Sequence, residues 1–141
     1  MSEAVGQLLE NLAVATERPS GLGIDIVEVK EFERLPYAEH PSFYQRCFTP
    51  DEITYCRSRP APAQHFAARF AAKEAAVKAL DGITPLAYWQ VEVTRSADGA
   101  PALHFWNRER TARLTDNPFR ALVSLTHSNS LAAAAVVVWR D

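Results

Sequence analysis

Apolar residues recur at helical spacing near the start of the chain, where Val5, Leu8, Leu9 and Leu12 form one stripe that Pro19 and Ser20 interrupt. From Gly21 the period shortens to two. Leu22, Ile24 and Ile26 share one face of an expected strand, and Asp25 stands on the other, the face expected to look outward. Gly21 and Gly23 on that face permit a close backbone approach. A short helix carrying Phe32 and Leu35 is expected next, stopping near Pro36. Thr49-Pro50-Asp51-Glu52 then has the form of a capping box with proline at the first helical position, which marks a helix start and not chemistry.

The strongest helical segment is 63–80, about 27 Å long at ~1.5 Å per residue. At ~100° per residue, Ala68, Ala72, Ala75, Ala76 and Ala79 fall in one arc and Phe66, Phe70 and Val77 in another, so the helix is expected to be covered on two sides. Residues 89–95, 102–106, 120–127 and 131–139 read as strands. Residues 96–99 form a turn between the first two, and 128–130 a tight reversal between the last two. Residues 107–115 read as a polar helix or loop. Strands joined by short reversals, with the helices mostly in the first half, predict an α+β fold: an antiparallel sheet packed against a long central helix. Residues 1–20 are read as an N-terminal extension and 21–141 as the folded domain.

Bulk properties narrow the partners. A chain of 141 residues with 48% hydrophobic and 23% charged residues has enough apolar material for one packed core. The net charge of −2 and the absence of a basic stripe argue against nucleic acid. No stretch approaches the ~18–20 apolar residues of a membrane span, and the first twenty residues lack the pattern of a signal peptide. Cys47 and Cys56 show no paired metal-site or disulfide spacing, which fits a reducing cytoplasm.

The candidate chemistry begins with charges on an apolar helix. Arg69, Lys73, Glu74 and Lys78 must be paired, snorkelling or functional. Glu74 and Lys78 have the spacing of an ordinary surface ion pair. Asp25 is either a solvent-facing carboxylate or a ligand. His127 ends a strand with Val123 and Leu125 on its own face, and is either a core-edge histidine or a binding residue.

Four segments taken together resemble one family. They are Gly-Leu-Gly-Ile-Asp-Ile-Val-Glu at 21–28, Arg-Cys-Phe-Thr-Pro-Asp-Glu at 46–52, Ala-Arg-Phe-Ala-Ala-Lys-Glu-Ala at 68–75 and Ser-Leu-Thr-His at 124–127. In order and separation they are similar to holo-acyl-carrier-protein synthase, the small bacterial 4′-phosphopantetheinyl transferase. The resemblance implies the 4′-phosphopantetheinyl transferase-like fold. It also implies transfer of 4′-phosphopantetheine from coenzyme A to a serine of an acyl or peptidyl carrier protein in fatty-acid or polyketide biosynthesis, with release of 3′,5′-ADP.

The same resemblance implies that Asp25 and Glu74 hold Mg²⁺, that Lys78 stabilises charge at the reacting phosphate, and that Arg69, Lys73, Lys78 and His127 bind coenzyme A. Two carboxylates suit magnesium, which takes its remaining oxygens from phosphate and water. Glu74, acting through a bound water, is the preferred base for the serine proton. Lys30, Arg34 and Arg46 match the carrier-docking charges, and a homotrimer with sites between subunits is implied by likeness alone.

The chain departs from the pattern in two places. Glu28, Glu31 and Glu33 dilute the docking charge, with Glu31 where an arginine is typical. Leu80-Asp81-Gly82-Ile83-Thr84-Pro85 stands where relatives carry Gly-Thr-Gly. Two other functions use the same residues: a non-catalytic, carrier-docking scaffold of the same fold, and a magnesium-dependent coenzyme A hydrolase.

Overall fold

The computed structural model describes residues 3–7, which are helical, and 18–140. Of the expected N-terminal stripe, Leu8, Leu9 and Leu12 lie outside the described residues.

The order of elements is β1 (Gly21–Glu28), α1 (Val29–Glu33), α2 (Pro41–Cys47), α3 (Pro50–Arg57), α4 (Pro62–Ala79), a 3₁₀ turn (Tyr88–Gln90), β2 (Val91–Arg95), β3 (Pro101–Phe105), β4 (Phe119–His127) and β5 (Leu131–Arg140). The α+β class is as expected, but the strands form two sheets. One is antiparallel with order β1-β5-β4, and the other is the β2-β3 hairpin. The helix expected to carry Phe32 and Leu35 and to stop near Pro36 ends at Glu33, and α2 was not expected. The segment expected as a strand from Trp89 begins as the 3₁₀ turn, and 107–115 is a loop pinned by a Trp106–Arg113 bridge.

Helix α4 is the hub. Its alanine arc is buried to the last methyl, with Ala68, Ala71, Ala72, Ala75, Ala76 and Ala79 all inside. The aromatic side packs into a cluster of Phe32, Tyr44, Phe48, Phe66 and Phe70, with Phe66 and Tyr44 ring centroids 4.6 Å apart. Small residues on one side let the sheet approach, while large rings on the other fill the wider gap to the short helices.

The approach is backbone to backbone. A Cβ built on Gly23 would lie 1.8 Å from the Ala75 carbonyl oxygen, and one on Gly21 would lie 2.0 Å from that of Ala79. This contact decides which face of β1 is inside, and it reverses the expected orientation. Gly21, Gly23, Asp25 and Val27 face α4, whereas Leu22, Ile24 and Ile26 are 63%, 58% and 65% exposed. Leucine or isoleucine on the helix side would hold the two backbones apart; glycine does not.

A buried polar network joins α3 and α4 to the β2-β3 hairpin. Thr49 and Glu52 close the expected capping box on α3. Glu52 also accepts hydrogen bonds from the Val93 amide at 2.9 Å and from Lys73 Nζ at 2.7 Å. Glu92 accepts from Thr49 Oγ1 (2.8 Å), Trp106 Nε1 (3.0 Å) and Arg113. Every charge in this network has a partner, as a buried ion pair requires.

Candidate active site

Because Gly21 and Gly23 bring β1 onto α4, the next inward position, Asp25, meets the helix flank two turns below the phenylalanines. Its side chain is only 12% exposed, and Oδ1 accepts a hydrogen bond from Lys78 Nζ at 2.8 Å. The same ammonium donates to the Ile24 carbonyl at 3.1 Å. The ion pair that forms is thus between strand and helix, rather than the Glu74–Lys78 pair that sequence spacing offers. Asp25 and its bond raise the Lys78 pKa.

Glu74 lies one helical turn before Lys78, against Asp25. Burial, then hydrogen bonding to Asp25 and the charge of that carboxylate, push its carboxyl up from 4.5 to about 7. Two adjacent carboxylates resist being ionised together, which is why the Asp25 charge adds to burial in holding the Glu74 carboxyl up. Asp25 Oδ2 is buried and has no fixed N–H or O–H donor. A cation can occupy it.

The oxygens present fit a magnesium ion in one respect and limit it in another. No group of three or more His, Cys, Asp or Glu side chains able to hold a metal occurs among the described residues, so a complete protein cage is absent there. Asp25 and Glu74 alone match the one or two carboxylates that magnesium takes when phosphate and water complete its shell.

Tyr88 closes one side of this cluster. Its ring packs edge-on to Phe70 at 5.2 Å, and its phenol pKa is raised by burial and by the charges of Glu74 and Asp25. Sequence reasoning missed it, because nothing in the Leu86–Gln90 run signals that it folds back onto α4.

Arg69 and His127 converge elsewhere, around the first half of α4. Arg69 is buried, with its guanidinium 4.2 Å over the Tyr55 ring and its Nε without a hydrogen-bond partner. His127 is exposed, and its ring centroid is 5.4 Å from that of His65. His65 was also missed, although its i, i+4 spacing to Arg69 was a signal.

Lys73 is not placed as expected. It is 0% exposed and donates to Glu52 Oε1 and to the Tyr88 and Val91 carbonyls, so all three protons are engaged inside the protein. Desolvation lowers its pKa and the Glu52 carboxylate raises it again. Lys73 ties α4 to α3 and to the start of β2. Glu52, 21 residues earlier, was legible only as a helix cap.

The expected docking charges Lys30, Arg34 and Arg46 are all exposed. Lys30 pairs with Glu28 at 3.1 Å. No described helix is long and apolar enough to cross a membrane.

A strand-and-helix carboxylate pair beside a lysine, on an α+β frame with Arg69 further along the same helix, is an arrangement suited to handling phosphate. The sequence profile of the 4′-phosphopantetheinyl transferase superfamily matches residues 21–136, and the chain belongs to that family. It is 40% identical to a holo-[acyl-carrier-protein] synthase from Moorella thermoacetica over 117 residues, covering 82% of this chain and 91% of the relative. It is 38% identical to the Geobacter sp. (strain M21) protein of the same name over 126 residues, covering 85% and 98%. Among solved structures, a holo-(acyl-carrier-protein) synthase from Bacillus anthracis in complex with CoA (3′,5′-ADP) superposes with a TM-score of 0.67 at 28% identity, covering 85% of this chain and 96% of that one. The Helicobacter pylori holo-[acyl-carrier-protein] synthase in complex with coenzyme A gives 0.66 at 26% identity, covering 84% and 99%.

Proposed function

We propose that this protein transfers 4′-phosphopantetheine from coenzyme A to a serine hydroxyl of an acyl carrier protein, with release of 3′,5′-ADP. The observation that carries the reading is the Asp25–Glu74–Lys78 cluster, in a chain whose relatives are holo-acyl-carrier-protein synthases.

In the reaction the serine oxygen forms a bond to the β-phosphorus, the bond to the bridging pyrophosphate oxygen breaks, and the electron pair leaves with 3′,5′-ADP. Lys78 stands where an ammonium can stabilise the negative charge that grows on those oxygens. Glu74, with a pKa near the working pH, takes the serine proton through an intervening water. Asp25 holds Lys78 in place and keeps the site anionic. Asp25 and Glu74 would hold Mg²⁺, which supplies charge neutralisation across the pyrophosphate. Arg69 and His127 bind the nucleotide end of coenzyme A.

Leu22, Ile24 and Ile26 lie in register with Val137, Ala135 and Ala133 of β5 respectively. With the exposed Leu122 and Leu131 they make a continuous apolar sheet face. This face supports burial against other copies of the chain, in the homotrimer with sites between subunits that the resemblance in sequence implies. Lys30, Arg34 and Arg46 face the carrier, which the interspersed glutamates suit to a less acidic partner. The two buried, unbridged cysteines fit a reducing cytoplasm.

The test is to incubate the protein with coenzyme A, Mg²⁺ and an apo carrier protein and to weigh the carrier by intact mass spectrometry. Gain of the pantetheine arm is expected. An unchanged carrier with cleaved coenzyme A would make the protein a hydrolase, and no change in either across several carriers would make it a scaffold.

A further inference from the structure

Between the start of α3, the 3₁₀ turn and the loop after β3 lies a recess of about 150 Å³ that shares no residue with the Asp25–Glu74–Lys78 cluster. It is lined by Phe48 and Thr49, both buried, by Trp89 and Trp106, both half-buried, and by Pro50 and Arg110, which are exposed. Its polar side chains are engaged behind the lining. Thr49 Oγ1 and Trp106 Nε1 both donate to the buried Glu92, at 2.8 and 3.0 Å, so the surface left to the recess is mostly apolar.

Arg110 is the exception, and its loop holds it there. Asn107 closes that loop: its Oδ1 accepts the Thr111 amide at 2.9 Å, its Nδ2 donates to Thr111 Oγ1 at 2.8 Å, and its own amide donates to the Ala112 carbonyl at 3.0 Å. Inside the turn Arg110 has a φ of 59°, in the left-handed region that a side chain with a Cβ occupies at a cost. Its guanidinium lies 4.1 Å from the Trp89 ring centroid, and one Nη donates to the Gln45 carbonyl at 3.0 Å. No carboxylate pairs with it among the described residues, whereas the cation of Arg113 is taken by Glu92. A strained backbone that presents an unneutralised cation beside an apolar recess has the form of a ligand clamp.

Size and charge then narrow the ligand. A void of ~150 Å³ walled by apolar side chains stays dry and admits a benzene-sized guest. Tryptophan faces favour a second aromatic ring, and the planar guanidinium with its parallel N–H donors matches a carboxylate. One cation balances one negative charge, which favours a carboxylate over a phosphate dianion.

We infer that this recess is a second ligand site, which takes a single-ring aromatic carboxylate with its ring between Trp89 and Trp106 and its carboxylate on Arg110. The site is independent of the transfer chemistry, since none of its side chains touches the acid cluster or the Arg69 and His127 region.

Two of the three tryptophans line the recess, so the intrinsic fluorescence of the full chain reads its occupancy. Titration with phenylacetate should give a saturable change with a Kd of about 0.1–1 mM. Phenylacetamide, the same shape without the charge, should bind about tenfold more weakly, and acetate, which lacks the ring, should give no change at the same concentrations. Arg110→Gly, to which the left-handed φ is cheap, should melt within about 2 °C of wild type and bind phenylacetate no better than phenylacetamide. Arg110→Gln, which keeps a long side chain, should lose the same discrimination. Equal affinity of the wild type for the acid and the amide, a tenfold preference retained in either variant, or no saturable response to phenylacetate up to about 20 mM would each overturn the inference. So would a response to acetate equal to that of phenylacetate, which would make Arg110 a surface anion contact without a ring site.

Discussion

Gly23 faces the Ala75 carbonyl so closely that a methyl group on its Cα would overlap that oxygen at 1.8 Å. The whole site depends on this contact, because it sets the depth at which Asp25 reaches Lys78. Gly23→Ala must push β1 off α4, and we expect a loss of about 3 kcal/mol in urea unfolding. A loss under about 0.5 kcal/mol, the level of an ordinary surface change, would show that the strand can move without cost.

The buried pair of Lys73 and Glu52, 2.7 Å apart with neither side chain meaningfully exposed, makes a second demand. Lys73→Met leaves Glu52 charged and without its cation, and should cost about 3–5 kcal/mol. Adding Glu52→Gln should cost less than the sum of the two single changes, because the stranded charge is gone. Denaturant midpoints of the three variants give the comparison. If Lys73 instead gripped a ligand phosphate, Lys73→Met would weaken coenzyme A binding and leave the midpoint in place.

Glu74 has a pKa of about 7 in the folded protein against 4.5 in the unfolded chain. The folded state therefore binds more protons between those values, and stability from this group is full below pH 4.5 and is lost as pH rises through 7. Glu74→Gln removes the penalty. In metal-free protein its melting temperature should exceed the wild-type value at pH 8 and approach or fall below it at pH 4.5. The opposite order across that window would show that Glu74 is not a raised carboxyl.

For catalysis, Asp25→Asn and Lys78→Met each remove one member of the strand–helix pair. Loss of a single charge-stabilising group at a reacting phosphate should lower carrier modification by about 10²–10³-fold. Intact-mass time courses at saturating coenzyme A and Mg²⁺ give the rates. A Lys78→Met protein at near wild-type rate would remove Lys78 from the chemistry.

Ile24 is 58% exposed at the centre of the apolar sheet face, opposite Ala135 of β5. Ile24→Glu should leave the far-UV circular dichroism spectrum unchanged and convert a three-chain mass in light scattering to that of one chain, with transfer lost alongside assembly. A wild-type protein that runs as a monomer at micromolar concentration would refute the covered face.

Much was legible from residue order. The apolar arcs of α4, the Thr49–Glu52 cap, the two hairpin reversals and the alternation in β1 are local patterns, and local backbone preference with short-range periodicity is enough to specify them. Likeness in four short segments named Asp25, Glu74 and Lys78 before any geometry did.

What order along the chain could not decide was side and partner. Alternation sorts β1 into two sets but does not say which set meets the helix, and isoleucine made the wrong set look internal. The backbone contact at Gly21 and Gly23 settled it. Lys73 and Glu52, or His65 and His127, are separated by 21 and 62 positions, and nothing local distinguishes a buried charge from a surface one. Burial and pairing belong to the packed chain, where the cost of an unpaired charge sets which groups must meet.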